Sequence, residues 1–456
     1  MKGSFGVPST RPLRRRGQPP PAPTRPSSPI PNLITQDVAA ERIRSIYVAE
    51  YANTSYDARR ALARKLIEQG DGTMRDSDAK FVFYAEATRL AAAAGDVPTA
   101  FDGADHLATA FPVVKLVERV KILQTSVPVL VAPAANQAVV SMCMDLVDQC
   151  AVENEFDHAA TLLDLAATAA EKSQKQAYAS WVRWKRDRVE AMRLAYGHVK
   201  PAAGKLGNAP DDPAANLTVG RFTCLVKKDW DVGLPMIEKG NDEALSALAE
   251  RDLTCPDDNP WKQFELADAW WAWGEKCSAW DDELNVDARA RYRERAAYWY
   301  RLALPALDGL DRATAERRSA EVYPPAGSEA AKARYVPRPP DAMPFKQHKY
   351  RAHIAEVPWD TARRLCEEAG GHLVCLETRL ENDYVVKLSR GKTLWLGATF
   401  DAKGKWTWIG GTGMFFSYWA HEQPDLSDPR LRPQMTPSGA WRTSATTAGF
   451  ICEWDE

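Results

Sequence analysis

From Asp37 to about Val199, apolar residues recur three and four positions apart and the runs break at Gly or Asp, the period of amphipathic α-helices. The stretch FVFYAEATRLAAAAGDVPTAFDGADHLATAF shows the unit most clearly. Two amphipathic runs flank the turn Ala94-Gly95-Asp96-Val97-Pro98, and their alanine-lined faces allow close approach, which predicts a helical hairpin of the tetratricopeptide kind. After a second turn around Glu155, FDHAATLLDLAATAAEKS repeats the pattern less faithfully, so stacked hairpins are expected rather than one closed bundle.

Pro and Gly in KPAAGKLGNAPDDPAAN, residues 200 to 216, interrupt the run and predict a boundary before a second helical stretch that reaches about Ala320. That stretch carries LADAWWAWGEKCSAW and ARYRERAAYWYRLALPAL; Trp270, Trp271, Trp273 and Trp299 read as packing between helices, with a ligand groove as the alternative. Six prolines in residues 321–345 predict a semi-rigid linker. Beyond Tyr350 the period changes. Helical spacing survives only in WDTARRLCEEAG and ENDYVVKLS, among short apolar runs bounded by Gly, which predicts an α+β domain with two helices and several strands. The chain therefore reads as multidomain: an arm (1–34), an all-α helical-repeat region (35–200), a second Trp-rich helical region (201–320), a linker (321–345) and a C-terminal α+β domain (346–456).

Charge and composition narrow the function. A net charge of -2, from 59 basic and 61 acidic side chains, excludes a general nucleic-acid binder. Residues 1–34 hold nine prolines and six basic residues without an acidic one, and they lack hydrophobic periodicity, so they are expected to be disordered. No run approaches the eighteen or so apolar residues of a membrane span, and no secretory signal pattern opens the chain. Eight cysteines are too sparse for a disulfide framework; Cys143, Cys150, Cys224, Cys255 and Cys277 read as isolated helical-core residues. Nucleophile elbow, phosphate-binding loop, HExxH and dinucleotide glycine motifs are absent, so neither an enzyme nor a cofactor is expected.

Two resemblances add to this. The segment PDDPAANLTVGRFTCLVKKDWDVGLPMIEKGNDEALSALAERDL, with RAAYWYRLALPALDGLDRATAERR after it, is similar to a helical module of large, mostly uncharacterised planctomycete proteins. It covers roughly residues 37–320. The likeness implies a scaffold that carries recognition domains, often behind an export signal, and on that ground alone a place outside the cytoplasm.

The second rests on motif order: YRAHIAEVPWDTARRLCEEAGGHLVCLET, ENDYVVKL, LWLGATF, GKWTWIGG, QPD, GAW and FICEW follow one another as in the C-type lectin-like domain, which this region resembles over its whole length. The resemblance implies that Trp359, Ala362 and Cys366 share the buried face of the first helix and that Trp395 and Leu396 lie in the core. It implies a disulfide between Cys366 and Cys452 closing 85 residues, with Cys375 left as a free core thiol. It also puts Gln423-Pro424-Asp425 at the family's calcium and sugar site, in the order associated with galactose-type sugars. Gln423 and Asp425 are thus calcium candidates and Asp428 a further acidic group. The family's next strand supplies an Asn-Asp pair after its Trp, however, and here Arg442 and Thr443 stand there. An ion pair of Arg442 with Asp425 is expected to fill the place of the ion. Trp406, Trp408, Trp419, Trp441 and Trp454 read as core or near-core, His421 as a surface residue, and His348 and His353, five apart on a strand, as lying on opposite faces.

The expectation is a non-enzymatic recognition protein. A C-type lectin-like module binds carbohydrate or glycoconjugate without a complete calcium site, through the loop from Trp419 to Arg442 with Gln423, Asp425, Asp428 and Arg442 as polar contacts. The alternative is a protein-interaction adaptor whose helical repeats bind a polypeptide and whose lectin-like domain has lost sugar binding.

Overall fold

The computed structural model describes residues 28–256, 259–277, 280–323, 336–400, 405–409, 413–426, 428 and 431–455. Most of the expected arm, residues 1–27, lies outside the described residues. Its last part is helical: Asn32 accepts the Thr35 N–H at 3.0 Å and starts α1 (Leu33–Ile46). The short α2 (Val48–Ala52) leads into α3 (Tyr56–Gly72), α4 (Ser77–Ala93), α5 (Val97–Ala110), α6 (Lys115–Ser126), α7 (Pro133–Glu153) and α8 (Phe156–Lys172). Successive helices pack antiparallel, and Ser55, Asp76 and Asp96 cap α3, α4 and α5 through their side-chain oxygens. The turn between α4 and α5 needs Gly95 at φ +68°, a conformation that L side chains rarely adopt. Ala87, Ala91, Ala100 and Ala104 are buried where these helices meet, as the hairpin pattern predicts.

The helical run does not stop at residue 200 itself, and its break falls later within the expected interval 200–216. Helix α9 (Gln176–Asn208) runs 33 residues straight through Pro201. The clash a helical proline causes falls on the carbonyl four residues earlier, here that of exposed Gly197, which water can satisfy. Tyr178, Trp181, Val182, Val189 and Met192 of α9 belong to the first helical core, and Ala195 and Val199 to the second, so one helix bridges both. The break comes later, between Asn208 and Pro213.

The second region comprises α10 (Pro213–Leu225), α11 (Trp230–Glu238), α12 (Glu243–Thr254), α13 (Pro260–Lys276), α14 (Ala288–Ala303) and α15 (Gly309–Val322), with an unforeseen two-strand hairpin, β1 (Trp280–Asp281) and β2 (Val286–Asp287). Trp270 and Trp299 are buried and both donate their indole N–H to Asp252, at 2.6 and 2.9 Å, while Arg295 pairs with the same carboxylate. Trp270 also stacks on Tyr292. These two indoles fill the core. Cys143, Cys150 and Cys224 are buried, whereas Cys255 and Cys277 are half-buried residues capping the ends of α12 and α13.

Residues 324–335 of the expected linker lie outside the described residues, and its end is already part of the last domain: β3 (Met343–Phe345) pairs with β4 (His348–Val357). Helices α16 (Trp359–Glu368) and α17 (Arg379–Ser389) and strands β5 (His372–Leu373), β6 (Leu394–Trp395), β7 (Ala398–Phe400), β8 (Trp406–Trp408), β9 (Arg432–Met435), β10 (Trp441–Ser444) and β11 (Ala448–Asp455) complete it. The main sheet runs β10-β9-β6-β11-β4-β3, with β5 on β11; β7 and β8 form a separate ribbon. Trp359, Ala362, Cys366, Trp395 and Leu396 are buried as expected. Gly371 follows α16 because a Cβ there would stand 2.4 Å from the Glu453 carbonyl oxygen.

This domain is docked on the helices. From β4, Arg351 reaches α7, where it bonds Asp145 at 2.7 Å and the Ser141 carbonyl at 3.1 Å, and its guanidinium lies 4.9 Å from the Trp181 ring of α9. Glu368, at the end of α16, pairs with Arg188 of α9 at 2.8 Å. The burial of Arg351 and His353 shows that the polar face of β4 is an interface.

Candidate functional site

The Gln423–Pro424 peptide is cis and opens the segment between Trp419 and β10. Gln423 turns its amide oxygen toward β10, where it accepts the Thr443 backbone N–H at 2.8 Å and the Thr443 hydroxyl at 3.0 Å. The Asp425 backbone N–H reaches Thr443 Oγ1 at 3.0 Å. Thr443 therefore ties both ends of the QPD segment to the strand.

Arg442 does not pair with Asp425 among the described residues. Successive strand residues face opposite sides, so Trp441 turns inward and is fully buried, Arg442 turns out, and Thr443 returns to the side that meets the QPD segment. The expected ion pair is replaced by this hydroxyl and amide junction. Asp425 and the guanidinium-bearing Arg442 are exposed and Asp428 is half-buried. His421 is a surface residue, with 93% of its side chain exposed.

The donor set does not fit calcium. That ion takes six to eight oxygens. Here the Gln423 oxygen is engaged by three N–H or O–H groups, a hydroxyl stands at 443 and a cation at 442.

Next to this junction lies an aromatic group. Trp419 packs on Trp406 and Trp441 at centroid distances of 5.2 and 5.7 Å, and Phe400 on Trp406 at 5.2 Å. Trp408, Trp441 and Trp454 are buried, and Trp406 and Trp419 are half-buried, packed against the core, as expected. Phe415 is 98% exposed and Leu426 is 52% exposed. Sequence reading passed over Phe415, whose one signal is a second Phe beside Phe416 in a glycine-bounded loop.

Cys366 and Cys452 lie side by side in the core as free thiols: Cys366 Sγ is 4.0 Å from the Ile451 carbonyl oxygen and Cys452 Sγ 3.7 Å from that of Cys366. The disulfide implied by the resemblance is not formed. On the interior strand β11, Glu453 is almost wholly buried beside Cys375, His372 and His348. Burial, then the nearby charges of Glu381 and Asp455, pushes its carboxyl up to about 8. His348 faces Glu453 and Asp455, whereas His353 is buried against Asp145 and Phe450, so the two histidines do lie on different sides of the strand.

Comparison with known proteins agrees with this fold. The family described as lectin C-type domain matches residues 355–453. Mouse C-type lectin domain family 4 member G is 30% identical over 125 residues, covering 25% of this chain and 42% of that protein. Human C-type lectin domain family 17, member A is 29% identical over 124 residues, covering 26% and 33%. Among solved structures, the mouse scavenger receptor C-type lectin carbohydrate-recognition domain is similar with 24% identity and a TM-score of 0.25, covering 26% of this chain and 96% of that one. The chain spans between a third and less than half of the length of these two curated relatives. Residues 355–453 thus form a C-type lectin domain, joined to a helical body that these comparisons do not reach.

Proposed function

We propose that the C-terminal domain binds carbohydrate or glycoconjugate without a complete calcium site, through the loop from Trp419 to Arg442. The observation that carries this is the Thr443 junction. A hydroxyl and a backbone N–H hold the Gln423 oxygen where a metal-dependent site would turn it toward an ion, so the loop is shaped by protein hydrogen bonds alone. Asp425 accepts from sugar hydroxyls, Arg442 donates to them, and Asp428 extends the polar rim. Exposed Phe415, with Trp406 and Trp419 beneath the loop, offers a flat face to the apolar side of a pyranose ring. Such a site binds without transforming its ligand. The similarity of the domain to proteins named as C-type lectins supports the reading. The helical body then serves as a rigid mount.

The test is binding of the full chain to immobilised galactose-terminated glycan. Asp425→Ala and Arg442→Ala are each expected to weaken it roughly 10- to 100-fold, the loss of a charge-assisted hydrogen bond. Unchanged binding in both variants would remove the site from this loop.

A further inference from the structure

At the edge of the lectin domain away from the Trp419–Arg442 loop, three donors of different chemistry converge. His372 and Cys375 flank Leu373 and Val374 on and just after β5, and Glu453 comes from β11, which pairs with β5 through Glu453↔His372. Cys375 Sγ lies 3.8 Å from His372 Nδ1, and Glu453 Oε2 lies 3.8 Å from the same nitrogen. All three donor atoms fall within 4.8 Å of one another. Around a tetrahedral zinc ion with Zn–N of about 2.0–2.1 Å and Zn–S of about 2.3 Å, ligand atoms stand roughly 3.4–3.6 Å apart. His372 Nδ1 stands a few tenths of an ångström from that spacing to both Cys375 Sγ and Glu453 Oε2, and the sulfur and the carboxylate lie within 4.8 Å of each other.

We infer that His372, Cys375 and Glu453 form a binding site for a divalent transition-metal ion of the zinc type, which clasps β5 to the C-terminal strand. The surroundings supply the second layer that such a site needs. Asp455 Oδ2 lies 3.3 Å from His372 Nε2, and a carboxylate there takes the Nε2 proton and turns the Nδ1 lone pair toward Cys375 and Glu453. Glu453 Oε2 is fixed by the Cys375 backbone N–H at 2.8 Å, and Oε1 by His348 at 3.0 Å and the Tyr350 hydroxyl at 3.3 Å. The Leu373 carbonyl oxygen, 2.9 Å from His372 Nδ1 and 3.4 Å from Cys375 Sγ, is the nearest further donor. Loading takes the proton from the Cys375 thiol and replaces the Nδ1 contact with this carbonyl, the neutral imidazole holding its proton on Nε2.

The ligand set chooses the ion. Calcium and magnesium take oxygen donors, whereas a thiolate with an imidazole favours zinc, cobalt, nickel or copper. Cys375 and Glu453 are nearly wholly buried, and His372 is only half-buried, which leaves an entry path on the histidine side.

The experiment uses the full chain, stripped with chelator and handled without oxygen. Cobalt(II) is added first, because a sulfur-to-cobalt charge-transfer band in the near ultraviolet reports a thiolate ligand with no substitution made. Zinc(II) is then titrated against a chromophoric chelator, and calcium is tested alongside. One cobalt ion per chain with the sulfur band, displaced by zinc and not by calcium, is the expected result. Cys375→Ser is expected to abolish the band, and His372→Gln to weaken zinc binding at least about tenfold, with Asp455→Asn showing a smaller loss. Bound cobalt without a sulfur band, a band that persists in Cys375→Ser, or calcium bound in preference to zinc would each overturn the inference.

Discussion

Arg351 of the lectin domain and Asp145 of helix α7, 206 positions apart in sequence, form an ion pair at 2.7 Å with side chains only 2% and 5% exposed. The pair joins the C-type lectin domain to the helices. His353 adds a second contact to the same carboxylate at 3.2 Å, and Asp341 satisfies the other side of the guanidinium at 2.9 Å.

Removing one partner of a buried pair leaves the other charge without compensation, which costs about 3–5 kcal/mol. Arg351→Met is therefore expected to lower the unfolding free energy by that order in urea denaturation, and to make the two parts separable by limited proteolysis. The double variant Arg351→Met with Asp145→Leu is expected to recover much of the loss, since no orphaned charge remains at 145. A single variant as stable as the parent would show that the domains do not dock through this pair.

The same interface carries a pH dependence. Burial, followed by the Arg351 charge, pulls the His353 imidazole below its ordinary 6.5, against the raising effect of Asp145 and Asp148. The native state thus binds this proton less readily than the unfolded chain. Its contribution is complete above about pH 6.5 and declines as the pH falls through the folded value. His353→Asn is expected to flatten the stability profile on the acid side of pH 6.5, measured as urea midpoint against pH for variant and parent together. Glu368 acts lower down. Burial alone would raise its carboxyl, but Arg188 and Arg364 outweigh it and hold it at about 2, so its stabilisation is lost as the pH falls from 4.5 toward 2.

We propose that Cys366 and Cys452 join once the protein is oxidised. Their neighbouring thiols, 86 positions apart, need little rearrangement to bond. Peptide mapping after mild oxidation is expected to find them linked, with stability raised by up to roughly 4 kcal/mol. Persistence of both thiols would remove the bond from the account.

What the sequence showed and hid follows from range. The α4–α5 hairpin was legible because its alanine spacing and the Gly95-Asp96-Val97-Pro98 turn are local. The lectin domain was legible from the order of its motifs, and its packed tryptophans followed. Pro201 misled, because whether a proline breaks a helix depends on what surrounds the carbonyl four residues before it. Strand alternation put His348 and His353 on opposite faces of β4, but only the fold shows that α7 and α9 cover the face with Arg351 and His353. At the loop, the ion pair expected of Arg442 failed on strand alternation, which gives the inward place to Thr443. The His372, Cys375 and Glu453 cluster was hidden because its members come from segments 78 positions apart.

The central claim is recognition of glycan by a loop that needs no ion, and a glycan array probed with the full chain tests it most directly, read once with calcium and once with chelator. The account predicts a glycan signal of equal strength in both. A signal that appears with calcium and vanishes with chelator would contradict it, and would mean that Gln423 leaves Thr443 to hold a metal.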